Sequence, residues 1–124
     1  MAGKGPSRRP EQVAEAIRTV LAEALVRGEV RDPRVSLVTV VSVDVTRDLS
    51  VATVRVAPHG QNDAEREAAV EGLRSAAGYL RSLVARGLTT RSVPELRFER
   101  DRGLEHAHRI DALLEEIRRG EDPS

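Results

Sequence analysis

Apolar residues Val13, Ile17, Val20, Leu21, Ala24 and Leu25 follow Pro10 at spacings close to a helical turn. This pattern predicts a helix that starts at residue 10, where proline suits a first helical position, and stops near Gly28. Arg31-Asp32-Pro33-Arg34 then reads as a turn, because the residue before a proline is pushed out of the helical region. Residues 37–45, LVTVVSVDV, are β-branched and turn-bounded, which predicts a strand with Leu37, Val41, Val43 and Val45 on one face. Thr46-Arg47-Asp48-Leu49 leads into a second strand over 50–57, with Ala52, Val54 and Val56 inward and Arg55 outward. So short a connection makes the pair an antiparallel hairpin.

Asn62 followed by Glu65 has the form of a capping box, and opens a second helical pattern. Its stripe, Ala69, Leu73, Ala76, Leu80 and Leu83, keeps spacings of four and three straight through the small triplet Ala76-Ala77-Gly78. The segment therefore reads as one kinked helix or two short helices in line. Ser92-Val93-Pro94 opens a third strand over 94–101, with Leu96 and Phe98 inward. Gly103 precedes a last helix carrying Ala107, Ile110, Leu113, Leu114 and Ile117. The order α-β-β-α-(kink)-α-β-α describes one α+β domain with no internal repeat, as a chain of 124 residues allows.

Net charge is zero, which argues at first against a nucleic-acid partner, but the charge is unevenly placed. Residues 72–102 hold seven arginines (Arg74, Arg81, Arg86, Arg91, Arg97, Arg100, Arg102) against Glu95, Glu99 and Asp101. The first ten residues add Lys4, Arg8 and Arg9 with no acid. All basic residues but Lys4 are arginine; codon bias accounts for most of that, although arginine's planar fork suits phosphate. Tyr79 and Phe98 are the only aromatics, so a sheet paved with base-stacking rings is excluded.

Cysteine is absent, which removes disulfides and thiolate sites and fits a reducing compartment. No apolar run approaches the roughly 20 residues needed to span a bilayer, and the amino terminus lacks a secretory pattern, so a cytoplasmic protein is expected. His106 and His108 are two apart on a helix rather than four, and His59 lies in a loop, so no metal is expected. No phosphate-binding glycine loop and no nucleophile–base pair is present, so neither a cofactor nor an enzyme is expected. The kink has two readings. Small residues there can simply let another element pack closely; alternatively, the second half-helix begins with free backbone N–H groups that attract phosphate. The flanking arginines favour the second, and Tyr79 is expected to be partly buried rather than a stacking platform.

RPEQVAEAI at 9–17, RDPR at 31–34, TRDLSVATVRV at 46–56, SAAGYLRSLV at 75–84 and VPELRFERD at 93–101, in that order, resemble the ribosome-binding factor A family. The resemblance implies a single type-II KH-like domain over 10–119, after a flexible basic arm at 1–9 and before a short tail at 120–124. It implies that Ala76-Ala77-Gly78 is the Ala-X-Gly kink that replaces the KH family's GXXG loop. It further implies binding to the free small ribosomal subunit (30S) near its neck and to 16S rRNA. Late maturation, 5′-end processing of the precursor RNA and cold adaptation would follow from that role. The expected RNA-binding residues are Arg8, Arg9, Arg74, Ala76, Ala77, Gly78, Arg81, Arg86 and Arg91, on a monomer with no membrane or small-molecule partner. The competing reading is a small protein-interaction or regulatory module without RNA affinity.

Overall fold

The computed structural model describes residues 9–88 and 92–120, with backbone alone at 104–108. Its elements are α1 (Pro10–Val26), β1 (Leu37–Val45), β2 (Val51–His59), α2 (Asp63–Ser75), α3 (Ala77–Gly87), β3 (Glu95–Arg100) and α4 (Arg102–Gly120). This is the element order the sequence pattern predicts. Of the basic arm only Arg9 is described, at the N-cap of α1, where its carbonyl accepts from the Gln12 and Val13 N–H groups. Among the described residues no helix is long and apolar enough to cross a membrane.

The three strands form one sheet in the order β1-β2-β3, with β1 antiparallel to β2 and β2 parallel to β3. Parallel neighbours cannot be joined by a tight turn, so α2 and α3 together supply the crossover. Ala52, Val54 and Val56 on the central strand are completely buried. Around them gather Val13, Ile17 and Leu21 of α1, Val70 and Leu73 of α2, Leu80 and Val84 of α3, and Leu96 and Phe98 of β3. Helices α1, α2 and α3 thus close over one face of the sheet. Alternate residues carry charge on the other face, where Arg55 of β2 pairs with Asp44 of β1 and lies near Glu99 of β3.

Strand β1 departs from the predicted alternation. Its register against β2 shifts between Val40 and Ser42, a bulge that leaves Val41 without a direct partner. One extra residue reverses which parity faces inward. Val38 and Val40 therefore point to the core before the bulge, and Val43 and Val45 after it. Leu37, expected inside, is two-thirds exposed. In the β1–β2 connection Leu49 adopts φ 62°, a left-handed conformation costly for leucine, while its side chain packs against the core.

The terminal helix also differs from expectation. Ile110, Leu113, Leu114 and Ile117 remain half exposed, so their stripe does not join the core. Helix α4 is instead tied at its start. Arg100, almost fully buried, reaches Asp63 and Glu67 at the head of α2 at 2.8 Å each, and Arg102 reaches Glu67 at 3.1 Å.

The crossover passes very close to the loop between α1 and β1. A Cβ added to Gly72 of α2 would lie 2.7 Å from Val35 Cγ2 and 3.3 Å from Asp32 Cγ. Gly72→Ala should therefore lower the unfolding free energy by about 1–3 kcal/mol, the usual cost of overpacking. Urea denaturation would show this as a lower midpoint at unchanged slope.

Candidate nucleic-acid interface

Helix α2 starts as the capping pattern predicts. Asn62 Oδ1 accepts from the Glu65 N–H at 2.8 Å, and Glu65 Oε1 accepts in return from the Gln61 N–H. Its hydrogen-bond ladder lapses at Ala76, whose backbone (φ −91°, ψ 5°) is only marginally helical. The Ala76 N–H is shared between the carbonyls of Gly72 and Leu73, and the ladder resumes with Leu80 N–H on Ala76 O. The N–H groups of Ala77, Gly78 and Tyr79 thereby become first-turn donors of a new helix. No side chain caps that end, and its first turn holds no acid, so the positive end of the α3 dipole is uncompensated.

The triplet divides its duties. Ala76 and Ala77 are half-buried and pack against the core, which is the close-packing reading of small residues. Gly78 does not take part. It is exposed, a Cβ there would meet nothing within 4 Å, and its φ is not in the left-handed range. Neither internal packing nor backbone conformation requires glycine at this position. What the missing side chain does is leave the surrounding N–H groups open to an incoming group.

The expected arginines fall into separate classes. Arg74 donates from Nε to the Phe98 carbonyl at 3.1 Å and pairs with Glu71. Arg81 donates to the carbonyls of Pro94 at 3.2 Å and Val93 at 2.6 Å. Arg74 thus clamps the helical crossover to β3 and Arg81 clamps it to the segment leading into β3, with much of each side chain still in solvent. A shallow cleft of about 310 Å³ lies between Arg74, Ala77 and the β3 residues Leu96, Arg97 and Phe98. Arg86 and Arg9 are exposed with no ion pair among the described residues. Arg8 and Arg91 lie outside the described residues. The remaining basic residues of the stretch are engaged: Arg97 with Glu95, and Arg100 and Arg102 with the head of α2.

Two cations the sequence reading passed over come from the α1–β1 loop. The Arg34 guanidinium grips Asp32, with Nη2 on Oδ2 at 2.6 Å, and Nη2 also approaches Ser75 Oγ at 3.4 Å, next to the kink. Arg31 is exposed on the same loop, at the rim of a cleft beside the kink. Their signal was RDPR itself, legible as a turn but not as a turn folded back on α2. Tyr79 is also more open than expected, 47% exposed, with its hydroxyl donating to Glu29 Oε1 at 3.1 Å.

The family model described as ribosome-binding factor A matches residues 9–114. The chain belongs to the ribosome-binding factor A family. Ribosome-binding factor A of Desulforamulus reducens is 44% identical over 111 residues, covering 90% of this chain and 91% of that protein. The crystal structure of ribosome-binding factor A from Thermus thermophilus superposes with TM-score 0.63 at 29% identity, covering 75% of this chain and 97% of that one. A Thermus thermophilus homology model fitted into the cryo-EM map of a 30S complex superposes with TM-score 0.52 at 30% identity, covering 69% of this chain and 92% of that one. The fold is thus the KH-like one of this family, and the protein is a ribosome-binding factor.

The clamp and the free cation separate on substitution. Arg81→Ala should cost about 1 kcal/mol or more of stability by freeing two carbonyls, whereas Arg86→Ala should stay within about 0.5 kcal/mol; thermal unfolding distinguishes them. Acid should loosen the loop. The hydrogen bonds from the Arg34 side chain and backbone hold the Asp32 carboxyl down to about 2, and Ser50 and Arg100 lower Asp48 and Asp63 in the same direction. Groups with depressed values stabilise the fold above their unfolded range and lose that contribution as they protonate. Stability should therefore hold down to about pH 4 and fall toward about pH 2. Asp32→Asn should flatten that fall in an acid titration of unfolding.

Proposed function

We propose that this chain binds the free 30S subunit through 16S rRNA, and supports late maturation of the subunit and 5′-end processing of its precursor RNA. The observation that carries the proposal is the exposed, uncapped start of α3 at Gly78, in a chain of the ribosome-binding factor A family. A relative of this fold has been fitted into the map of a 30S complex, which supports the same partner here. The contact is non-enzymatic, made in the cytoplasm by a monomer. Backbone N–H groups of residues 77–79 take one phosphate. Arg86 takes a neighbouring phosphate, and Arg74 and Arg81 present the guanidinium N–H groups not engaged with backbone carbonyls. Arg8, Arg9 and Arg91 add further positive charge for the RNA. Such contacts read backbone and shape, so the target is defined by folded RNA more than by sequence.

Co-sedimentation with free 30S subunits tests this. Binding should weaken as salt rises, because each neutralised phosphate releases counterions. Arg86→Glu should reduce the salt slope by about 1 or more. Gly78→Val places a branched side chain over the N–H groups, and its Cβ meets no neighbour within 4 Å, so it should reduce binding with the circular dichroism spectrum unchanged. Salt-insensitive or absent 30S binding would favour the protein-interaction module instead.

A further inference from the structure

The groove side of the kink faces β3, but a second cleft opens on its other side. This cleft, about 540 Å³, lies between the α1–β1 loop and the kink, and its lining includes Glu29, Arg31, Asp32 (held by Arg34), Ser75 and Tyr79. Its volume is in the range of small-ligand sites. Its chemistry is unlike that of a phosphate-binding surface. Glu29 is half-buried there, and a carboxylate beside a phosphate site would only repel the RNA backbone. One Glu29 oxygen accepts the Tyr79 hydroxyl, and the carboxylate has no other hydrogen bond or ion pair among the described residues. Acceptor sites on both oxygens stay open, since a carboxylate offers about four. The same hydrogen bond anchors Tyr79, the only exposed aromatic ring among the described residues. Arg31 stands at the rim without an ion pair among the described residues.

We infer that this cleft receives one unpaired guanine of the bound RNA, stacked on Tyr79 with its Watson–Crick edge on the Glu29 carboxylate. The inference rests on the RNA-binding reading and adds a base-specific contact to it. Guanine presents two adjacent donors, N1–H and the N2 amino group, which match the two oxygens of a carboxylate. Adenine and cytosine place a ring acceptor beside their amino group, and uracil flanks its single donor with two carbonyls, so each sets a lone pair against the carboxylate. A ring stacked on an unpaired base is the usual way proteins read single-stranded RNA.

Fluorescence anisotropy with four stem-loop RNAs, differing only in one unpaired loop base, tests the inference on the full chain. The guanine stem-loop should bind about tenfold tighter than the other three. Tyr79→Leu should weaken all four about tenfold, within the range of one base–aromatic stack. Glu29→Gln, which still accepts from Tyr79, should remove the guanine preference and tighten adenine binding, because a carboxamide pairs an acceptor with a donor and so matches adenine's amino group and ring nitrogen. Equal binding of the four RNAs, or a guanine preference that survives Glu29→Gln, overturns the guanine site. If no stem-loop binds while 30S subunits still co-sediment, the guanine site falls and the proposed function stands. If 30S binding is also absent, both fall.

Discussion

The parallel pairing of β2 with β3 is the constraint on which the rest of this structure depends. Strands that run side by side in the same direction need a long return path. Here the path is α2 followed by α3, and it must bury a continuous apolar stripe against the sheet while turning from one strand's end to the other's start. The interruption at Ala76 divides the path without breaking the stripe, because Leu73 and Leu80 on either side are both completely buried. Arg74 and Arg81 then fix the crossover by donating to carbonyls of β3 and of the segment leading into it. A new helix start is thereby held at the surface by a well-packed underside, which is what a preorganised binding point requires.

Arginine has two roles in this chain, and only the contacts separate them. Arg100 is nearly buried and joins the head of α2 to the end of β3, with Arg102 beside it. Arg74 and Arg81 anchor secondary structure with part of each guanidinium and leave the remainder in solvent. Arg86 and Arg31 have no ion pair among the described residues. A protein with zero net charge can still present a locally basic surface, because several of its acids are bound up in structural pairs away from the kink.

Two glycines on the same crossover show how different the reasons for a small residue can be. Gly72 sits under the Asp32–Arg34 turn, where a single methyl would collide with Val35. Gly78, six residues on, faces open space. The first is required by the fold and the second is free of it. A position that the fold does not constrain, at an uncapped helix start, is where a binding requirement can act on the residue type.

Much of this was legible along the chain. Pro10, the Asn62–Glu65 cap, the alternation of Ala52, Val54 and Val56, and the stripe from Ala69 to Leu83 each encode their element locally, through propensity and period. The motif around Ala76-Ala77-Gly78 was likewise visible as a weak point in a helix. Other features were not, because they depend on residues distant in sequence. The bulge at Val41 reversed the inward face of β1 and put Leu37 in solvent, a result of pairing with β2 rather than of β1's own pattern. The exposure of the α4 stripe, the binding of Arg74 and Arg81 to carbonyls of β3 and of the segment before it, and the return of Arg34 to Ser75 all required the strands and loops to be in place. The sequence by itself determined which segments form helices and strands and where the crossover weakens, since those depend on near neighbours. Only the tertiary structure decided which arginines stay free and what surrounds the kink, because charge pairing and burial are settled between elements, not within them.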